Sequence, residues 1–251
     1  MGQGVDCSRS GWYTGAVQFL GGKHRQAKEI VRVIAEYTQR RHLIEPFCGA
    51  CNVTVAAAKS GFTIEASDAH PALIAMWQAL ALGWEPPTLD CTPEVHQAAK
   101  ARDDGDPLKA LIGFGASFGA KYFGGFARGA AGDYFDNARR AVLRKIGDMG
   151  PRTSFECRSF EAASARSDAV IYCDPPYIGT KGYKTGGPKF DHEVFWAWVH
   201  TQSEISPVFV TEYGVPADAR IVHTFLRTPN VRSRQGACPV RQEHLVVFDR
   251  T

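Results

Sequence analysis

Apolar positions recur along the chain with two alternating periods. Between Lys23 and Arg41, the residues Ala27, Ile30, Val31, Ile34 and Tyr37 fall at helical spacing directly after Gly21-Gly22, which predicts a glycine turn feeding an amphipathic helix. His42 to Phe47 follows as a short strand-like run ending in the loop Cys48-Gly49-Ala50-Cys51, and Val53 to Lys59 continues as an alanine-rich helix. Phe62 to Asp68 reads as a second strand closing on an acid. His70-Pro71 opens a helix over Ala72 to Leu82, with proline in the first turn, where its missing N–H costs nothing. Gly83 to Pro93 breaks the alternation. Helix and loop then dominate up to residue 150, one helix starting at Pro107 and a later one marked by Phe135, Ala138, Val142, Ile146 and Met149. After Pro151 the alternation resumes, with strands at Thr153 to Cys157 and Ala169 to Cys173, a helix at Glu193 to Gln202, a strand at Val208 to Thr211, and a final pair near His223 to Arg227 and His244 to Phe248. The unbroken apolar run Ala169 to Cys173 suits a parallel strand buried on both faces, so the order predicts an α/β sheet.

Composition narrows this picture. A chain of 251 residues, 44% hydrophobic and 22% charged, fits one globular domain carrying a modest insertion and excludes disordered, collagen-like and coiled-coil classes. Its apolar stretches fall far short of the roughly 20 residues of a membrane helix, and the first residues lack an apolar core after a basic start. No membrane association and a cytoplasmic location are therefore expected. Seven cysteines, an odd number spread over a long chain, argue against a disulfide framework. Cys48 and Cys51 invite a zinc or redox reading, but no second pair at metal spacing follows, so they are read as small residues in a tight loop and no metal is expected. The net charge of +3 is modest, yet Lys121 to Lys145 holds six basic residues against two acidic ones, and Arg220 to the end repeats that balance. Two basic segments suggest one cationic face for a nucleic acid, although ordinary solvated helix surface accounts for the same charges.

Three features carry candidate chemistry. Strand, glycine loop, helix, strand and acid form a nucleotide-type βαβ unit, in which Asp68 lies 19 residues beyond Gly49, the spacing at which such an acid reaches ribose hydroxyls. Gly113 to Gly129 interleaves glycines, aromatics and cations, a composition suited to stacked bases and phosphates and also to a flexible aromatic loop. The third feature is Asp174-Pro175-Pro176-Tyr177, at the carboxyl end of the central strand. Two prolines fix φ and donate no hydrogen bond, so they hold a rigid turn with free carbonyl acceptors, flanked by a carboxylate and a flat ring. Such a turn suits a planar group bearing an amino function. Two acceptors gripping an aromatic amine would localise its lone pair for in-line attack on a methyl donor.

Taken in order, Gly21-Gly22-Lys23, Glu45-Pro46-Phe47-Cys48-Gly49-Ala50-Cys51, Asp68 and Asp174-Pro175-Pro176-Tyr177 resemble the motifs of Dam-like phage and bacterial DNA adenine-N6 methyltransferases. The resemblance implies a Rossmann-like class I methyltransferase sheet with helices on both faces and a small, mainly helical target-recognition insertion. Residues 1–84 and 151–251 would form the catalytic domain that binds S-adenosyl-L-methionine and releases S-adenosyl-L-homocysteine, and residues 85–150 the insertion. It implies a cofactor site made by Phe19, Gly21, Gly22, Lys23, Glu45, Pro46, Phe47, Gly49, Asp68 and Asp174, to which Ser159 and Phe160 after the third strand are added. Asp174, Pro175, Pro176 and Tyr177 would act on an adenine rotated out of double-stranded DNA, because N6 is otherwise paired inside the stack. Lys121, Tyr122 and Arg128 are the expected DNA contacts. A monomer or weak dimer in a bacterial or phage-infected cell is expected, with a restriction endonuclease as a candidate partner. One departure stands out: the family's loop usually has glycine where this chain has Cys51, and a β-carbon there would crowd the cofactor or demand a different turn.

Rival readings remain. RNA guanine-N2 methyltransferases also carry an Asp-Pro-Pro-aromatic motif, but usually lack Gly-Gly-Lys and a long insertion, whereas Asp68 and Asp174 here lie 106 positions apart. Cytosine-N4 enzymes usually have serine in place of Asp174, and cytosine-C5 chemistry needs a cysteine after proline, where Cys173 precedes the motif. A catalytically silent DNA-binding homologue is the alternative of a different class.

Overall fold

The computed structural model describes residues 22–128, 133–177, 190–227 and 241–249. Phe19 and Gly21 lie outside them. Seven strands form one sheet: β1 (His42–Glu45), β2 (Thr63–Asp68), β3 (Thr153–Cys157), β4 (Ala169–Cys173), β5 (Val208–Glu212), β6 (Arg220–Arg227) and β7 (Arg241–Phe248). Their order is β3-β2-β1-β4-β5-β7-β6. The first five run parallel, and β7 pairs antiparallel with both β5 and β6. Chain order reverses between β1 and β4, so a crevice opens at the carboxyl ends of those two strands, where ligands of open α/β sheets bind. The expected Rossmann-like sheet is present.

The pleat sorts apolar side chains onto two faces. Leu43, Val170, Tyr172, Phe209, Leu245 and Val247 point into one core, shared with the helices α1 (Ala27–Tyr37), α2 (Asn52–Lys59) and α3 (Pro71–Ala81). Ile44, Ile171, Cys173, Val208, Val210 and Val246 point into the other. Beyond 150 the chain covers that second face with Phe195, Trp198 and Val199 of the later helix His192–Ser203. All five residues of β4 are buried, as its unbroken apolar sequence required.

Between α3 and β3 the insertion supplies α4 (Pro93–Ala99), α5 (Pro107–Gly115) and α6 (Tyr134–Met149), which makes the later helix α7. Thr92, Asp106 and Asp133 each accept a backbone N–H at the start of these helices, and proline follows the first two caps. Among the described residues the insertion has no separate core. Ala110, Leu111, Phe114, Phe135, Ala138 and Val142 join the cluster that contains Leu43 and Trp77.

Helical spacing over Lys23 to Arg41 overstates α1, because Lys23 to Gln26 form a turn and Thr38 adopts extended φ and ψ. The final strands begin earlier than the sequence suggests, at Arg220 and Arg241, since antiparallel pairing continues beyond the apolar stretches.

Candidate active site

The loop after β1 is built around left-handed backbone. Gly49 has φ +47° and Cys51 φ +56°, and the Cys51 amide donates to the Cys48 carbonyl at 2.7 Å to close the turn. A non-glycine residue in this region costs about 1–2 kcal/mol, which explains why glycine suits position 51. The thiol of Cys51 is completely buried in the core, with Sγ 3.8 Å from the Gly49 carbonyl. Its side chain therefore packs into the protein interior while the loop keeps the left-handed turn.

Three neighbours hold the loop. Gly49 N–H donates to Asp68 Oδ2 at 3.1 Å, Trp77 Nε1 donates to the Gly49 carbonyl at 3.0 Å, and Cys48 N–H donates to the Ser67 carbonyl at 2.9 Å. Asp68 also accepts from His70 N–H through Oδ1 at 3.0 Å. Burial pushes its carboxyl up to about 6, opposed by the backbone N–H groups of His70, Gly49 and Ala69. With three backbone donors on its two oxygens, the carboxylate keeps one lone pair for a further donor such as a hydroxyl. A β-carbon built on Gly49 would meet nothing within 4 Å, so the loop has room for a ligand to approach its backbone.

At the end of β4, Asp174 is sequestered on one side. Its Oδ1 accepts from Lys23 Nζ at 2.5 Å and Thr211 Oγ1 at 3.1 Å, and lies 3.0 Å from Tyr177 Oη. Among the described residues Oδ2 accepts no hydrogen bond, which leaves it for a donor from outside. Lys23 also pairs with Glu243 Oε1 at 3.4 Å and donates to the Tyr177 hydroxyl, which donates to Glu243. Gln26 Nε2 holds the other Glu243 oxygen at 2.5 Å. Burial, followed by the charges of Asp174 and Glu243, drives the Tyr177 hydroxyl far above the ordinary phenol range, so it stays protonated. The Lys23 ammonium lies 4.8 Å from the Tyr177 ring centroid, and Tyr213 meets that ring edge-on at 4.8 Å.

The fold thus brings Lys23, Asp174 and Tyr177 into direct contact, with Asp68 and Gly49 joined across the neighbouring strand ends. Gly22 is exposed just before Lys23. Pro46 is buried, and the half-buried Phe47 ring stacks on Phe160 at 5.6 Å beside Phe190 and Phe195. Ser159 caps the short turn Phe160–Ala162. Glu45 sits inside the molecule, where it accepts from Thr54 Oγ1 at 2.6 Å, and burial pushes its carboxyl up to about 8. Lys121 and Arg128 are exposed on the insertion. Tyr122 is not: its ring packs against His70, Phe114 and Phe123 at 4.5–4.7 Å, and the exposed ring of that segment is Phe118.

Sequence reasoning missed Thr211, Glu243 and Lys145. Lys145 Nζ reaches the Ala50 carbonyl at 2.5 Å and Asn52 Oδ1 at 2.8 Å, clamping the loop from α6. Two of the three left a signal. Glu243 shares the strand face of Leu245 and Val247, and Lys145 lies on the helical stripe of Ala138, Val142 and Met149, so each is a charge on an apolar face. Thr211 left none. Among the described residues no cluster of His, Cys, Asp or Glu could hold a metal ion, and no helix is long and apolar enough to cross a membrane.

Residues 19–102 and 120–205 match the family model of D12 class N6 adenine-specific DNA methyltransferases. The retron Ec67 DNA adenine methylase of Escherichia coli is 26% identical over 217 residues, covering 74% of this chain and 72% of that protein. Among solved structures, a Pyrococcus horikoshii protein described as an RNA methyltransferase aligns over 90% of this chain and 84% of its own, at 9% identity and a TM-score of 0.45. The Pyrococcus abyssi tRNA (uracil-54, C5)-methyltransferase, solved with S-adenosyl-L-homocysteine, aligns over 92% of this chain and 40% of its own, at 13% identity and a TM-score of 0.42.

Proposed function

The chain belongs to the D12 class of N6 adenine-specific DNA methyltransferases, and from that premise we propose that it moves a methyl group from S-adenosyl-L-methionine to N6 of an adenine flipped out of double-stranded DNA into the Asp174–Tyr177 turn. The observation that carries this reading is the asymmetry of Asp174. Lys23 and Thr211 donate to Oδ1, with the Tyr177 hydroxyl beside it, while Oδ2 accepts nothing from the described residues at the strand-switch crevice.

Asp174 Oδ2 accepts one N6–H, and a carbonyl of the Pro175–Pro176 segment accepts the other. Two acceptors placed this way pull the nitrogen toward tetrahedral geometry, localise its lone pair and meet the positive charge that develops on it, which is discharged when one N6 proton leaves by way of the Asp174 carboxylate to water. The ring of Tyr177, anchored by its hydroxyl, offers a face on which the extruded base stacks, which offsets part of the few kcal/mol spent on extrusion. S-adenosyl-L-methionine, when bound, supplies a methyl group on a sulfonium sulfur that departs neutral, so no protonation of a leaving group is needed.

The residues present fit that group: Asp68 would take the ribose hydroxyls, the open Gly49 turn would let the donor lie close to the backbone, and Lys23 with Asp174 would face its charged end. Phe47, Ser159 and Phe160 stand on the side where its adenine would lie. Lys121 and Arg128 are assigned to DNA phosphates, and residues 85–150 to target recognition. Tyr122 is assigned to support of that segment.

Purified protein incubated with radiolabelled S-adenosyl-L-methionine and DNA should give labelled N6-methyladenine. Asp174→Ala should lose at least a hundredfold in transfer while still binding DNA. A different methylated base, or undiminished transfer by that variant, would overturn the reading.

A further inference from the structure

Two groups of cations at the carboxyl edge of the sheet have no role in the crevice chemistry. β7 runs antiparallel to both of its neighbours, so the end of β6 and the start of β7 stand at the same edge as the end of β5. Arg227 and Arg241 are register partners there, beyond the level at which His244 pairs with Glu212. The turn leading into α1 reaches this edge too, since Lys23 meets Asp174 and Gln26 meets Glu243. Arg25 and Lys28 are exposed beside it, and neither forms an ion pair among the described residues. Further along α1, by contrast, Arg32 is paired with both Glu29 and Glu36. Both placements oppose stability in the protein alone. Cations beside the start of a helix face the positive end of its dipole, and like charges at paired positions weaken an antiparallel ladder. Neither the helix nor the sheet accounts for these residues, whereas a polyanion lying along this edge relieves both repulsions.

We propose that Arg25, Lys28, Arg227 and Arg241 form a second phosphate-binding shoulder for duplex DNA, on the side of the crevice opposite the insertion. The proposal rests on the reading of the crevice as the place where an adenine of DNA is methylated. The insertion stands past β2, where the Tyr122 ring meets His70 just after that strand, and the new shoulder stands past β5. In the sheet order β2 and β6 are five places apart, a span of about 24 Å at roughly 4.8 Å per strand. Duplex DNA advances about 3.4 Å per base pair, so about seven base pairs reach from one shoulder to the other across the crevice. Lys121 and Arg128 then hold one arm of the duplex and the new shoulder the other. A base leaving the stack between them leaves a backbone that is anchored on both sides.

Fluorescence anisotropy of a labelled, mixed-sequence duplex long enough to cross both shoulders tests this across a series of salt concentrations. Arg25→Ala with Lys28→Ala is expected to flatten the dependence of affinity on log salt concentration by about 2, and adding Arg227→Ala with Arg241→Ala by about 2 more. Urea midpoints should stay level or rise, because the deleted charges are opposed in the protein alone. Affinity for S-adenosyl-L-homocysteine, measured by calorimetry, should be unchanged. An unaltered salt slope in Arg25→Ala with Lys28→Ala overturns the proposal, and so does a slope that flattens only together with a lower urea midpoint, which marks a structural role. Should the strand variants fail to fold, the exposed pair Arg25 and Lys28 decides alone. Wild-type protein that binds no duplex sinks the proposed function itself, an outcome distinct from wild-type binding with an unaltered slope in the variants.

Discussion

Glu45 and Lys145 meet the loop after β1 from inside the molecule, and burial disfavours the charged form of each. The Glu45 carboxyl is pushed up to about 8, with only the Thr54 hydroxyl and more distant Lys145 working against burial. A carboxyl raised in the folded state contributes stability that is complete below its unfolded value near 4.5 and lost as pH climbs through 8. From pH 6 to 8 the wild type should therefore lose about 2 kcal/mol that Glu45→Gln retains, seen as a narrowing gap between their urea midpoints. Lys145, lowered to about 8 by burial, acts with the opposite sign and mainly above that pH, outside the window. Lys145→Met keeps most of the side-chain volume but leaves the Ala50 carbonyl and Asn52 without their donor. A loss of about 1–3 kcal/mol in unfolding free energy at pH 7 is expected, together with weaker S-adenosyl-L-methionine binding as the turn loosens. Neither pair could be assigned from sequence: a charge on an apolar face announces that something neutralises it, without saying what.

Helices of the insertion depend on close approach. A β-carbon on Gly115 of α5 would lie 2.5 Å from the Ala138 β-carbon of α6, and one on Gly113 would lie 2.6 Å from the Tyr122 ring. The Gly113 carbonyl also accepts from Phe123 N–H at 2.8 Å and from Ser117 Oγ at 2.6 Å, while His96 meets Ser117 at 2.8 Å. Gly113 to Phe126 is thereby folded back on α5, with the rings of Tyr122, Phe123 and Phe126 turned inward against His70, His96 and Phe114. Gly113→Ala should cost about 1–3 kcal/mol by thermal or chemical denaturation, and DNA binding should suffer more than cofactor binding because the displaced rings support the insertion. The aromatic and glycine content of this segment was legible in the sequence. Which rings face solvent was not, since alternate ring orientations are consistent with the same string of residues until a neighbouring helix fills one side.

Over the whole molecule, the exposed cations of the insertion and the crevice of the sheet are carried by one continuous core, which runs from Leu43 and Trp77 through Leu111 to Val142. If Lys121 and Arg128 hold DNA phosphates as proposed, that contact would load directly on the elements that hold the loop after β1. Lys121→Ala with Arg128→Ala should weaken DNA binding across sequences alike and flatten its dependence on log salt concentration by about 2, as expected for two phosphate contacts. An unchanged slope would remove both residues from the interface. By itself the sequence determined the alternation of strands and helices, the strand-end positions of Gly49, Asp68 and Asp174, and the family resemblance, because periodicity, turn chemistry and short motifs are written in neighbouring residues. Tertiary structure alone decided that Thr211, Glu243 and Lys145 belong to the site, that Asp174 turns one oxygen inward and one outward, and that the Cys51 thiol packs into the interior. Those facts depend on which strands pair and which helix crosses which loop, and pairing is a long-range outcome that no local spacing encodes.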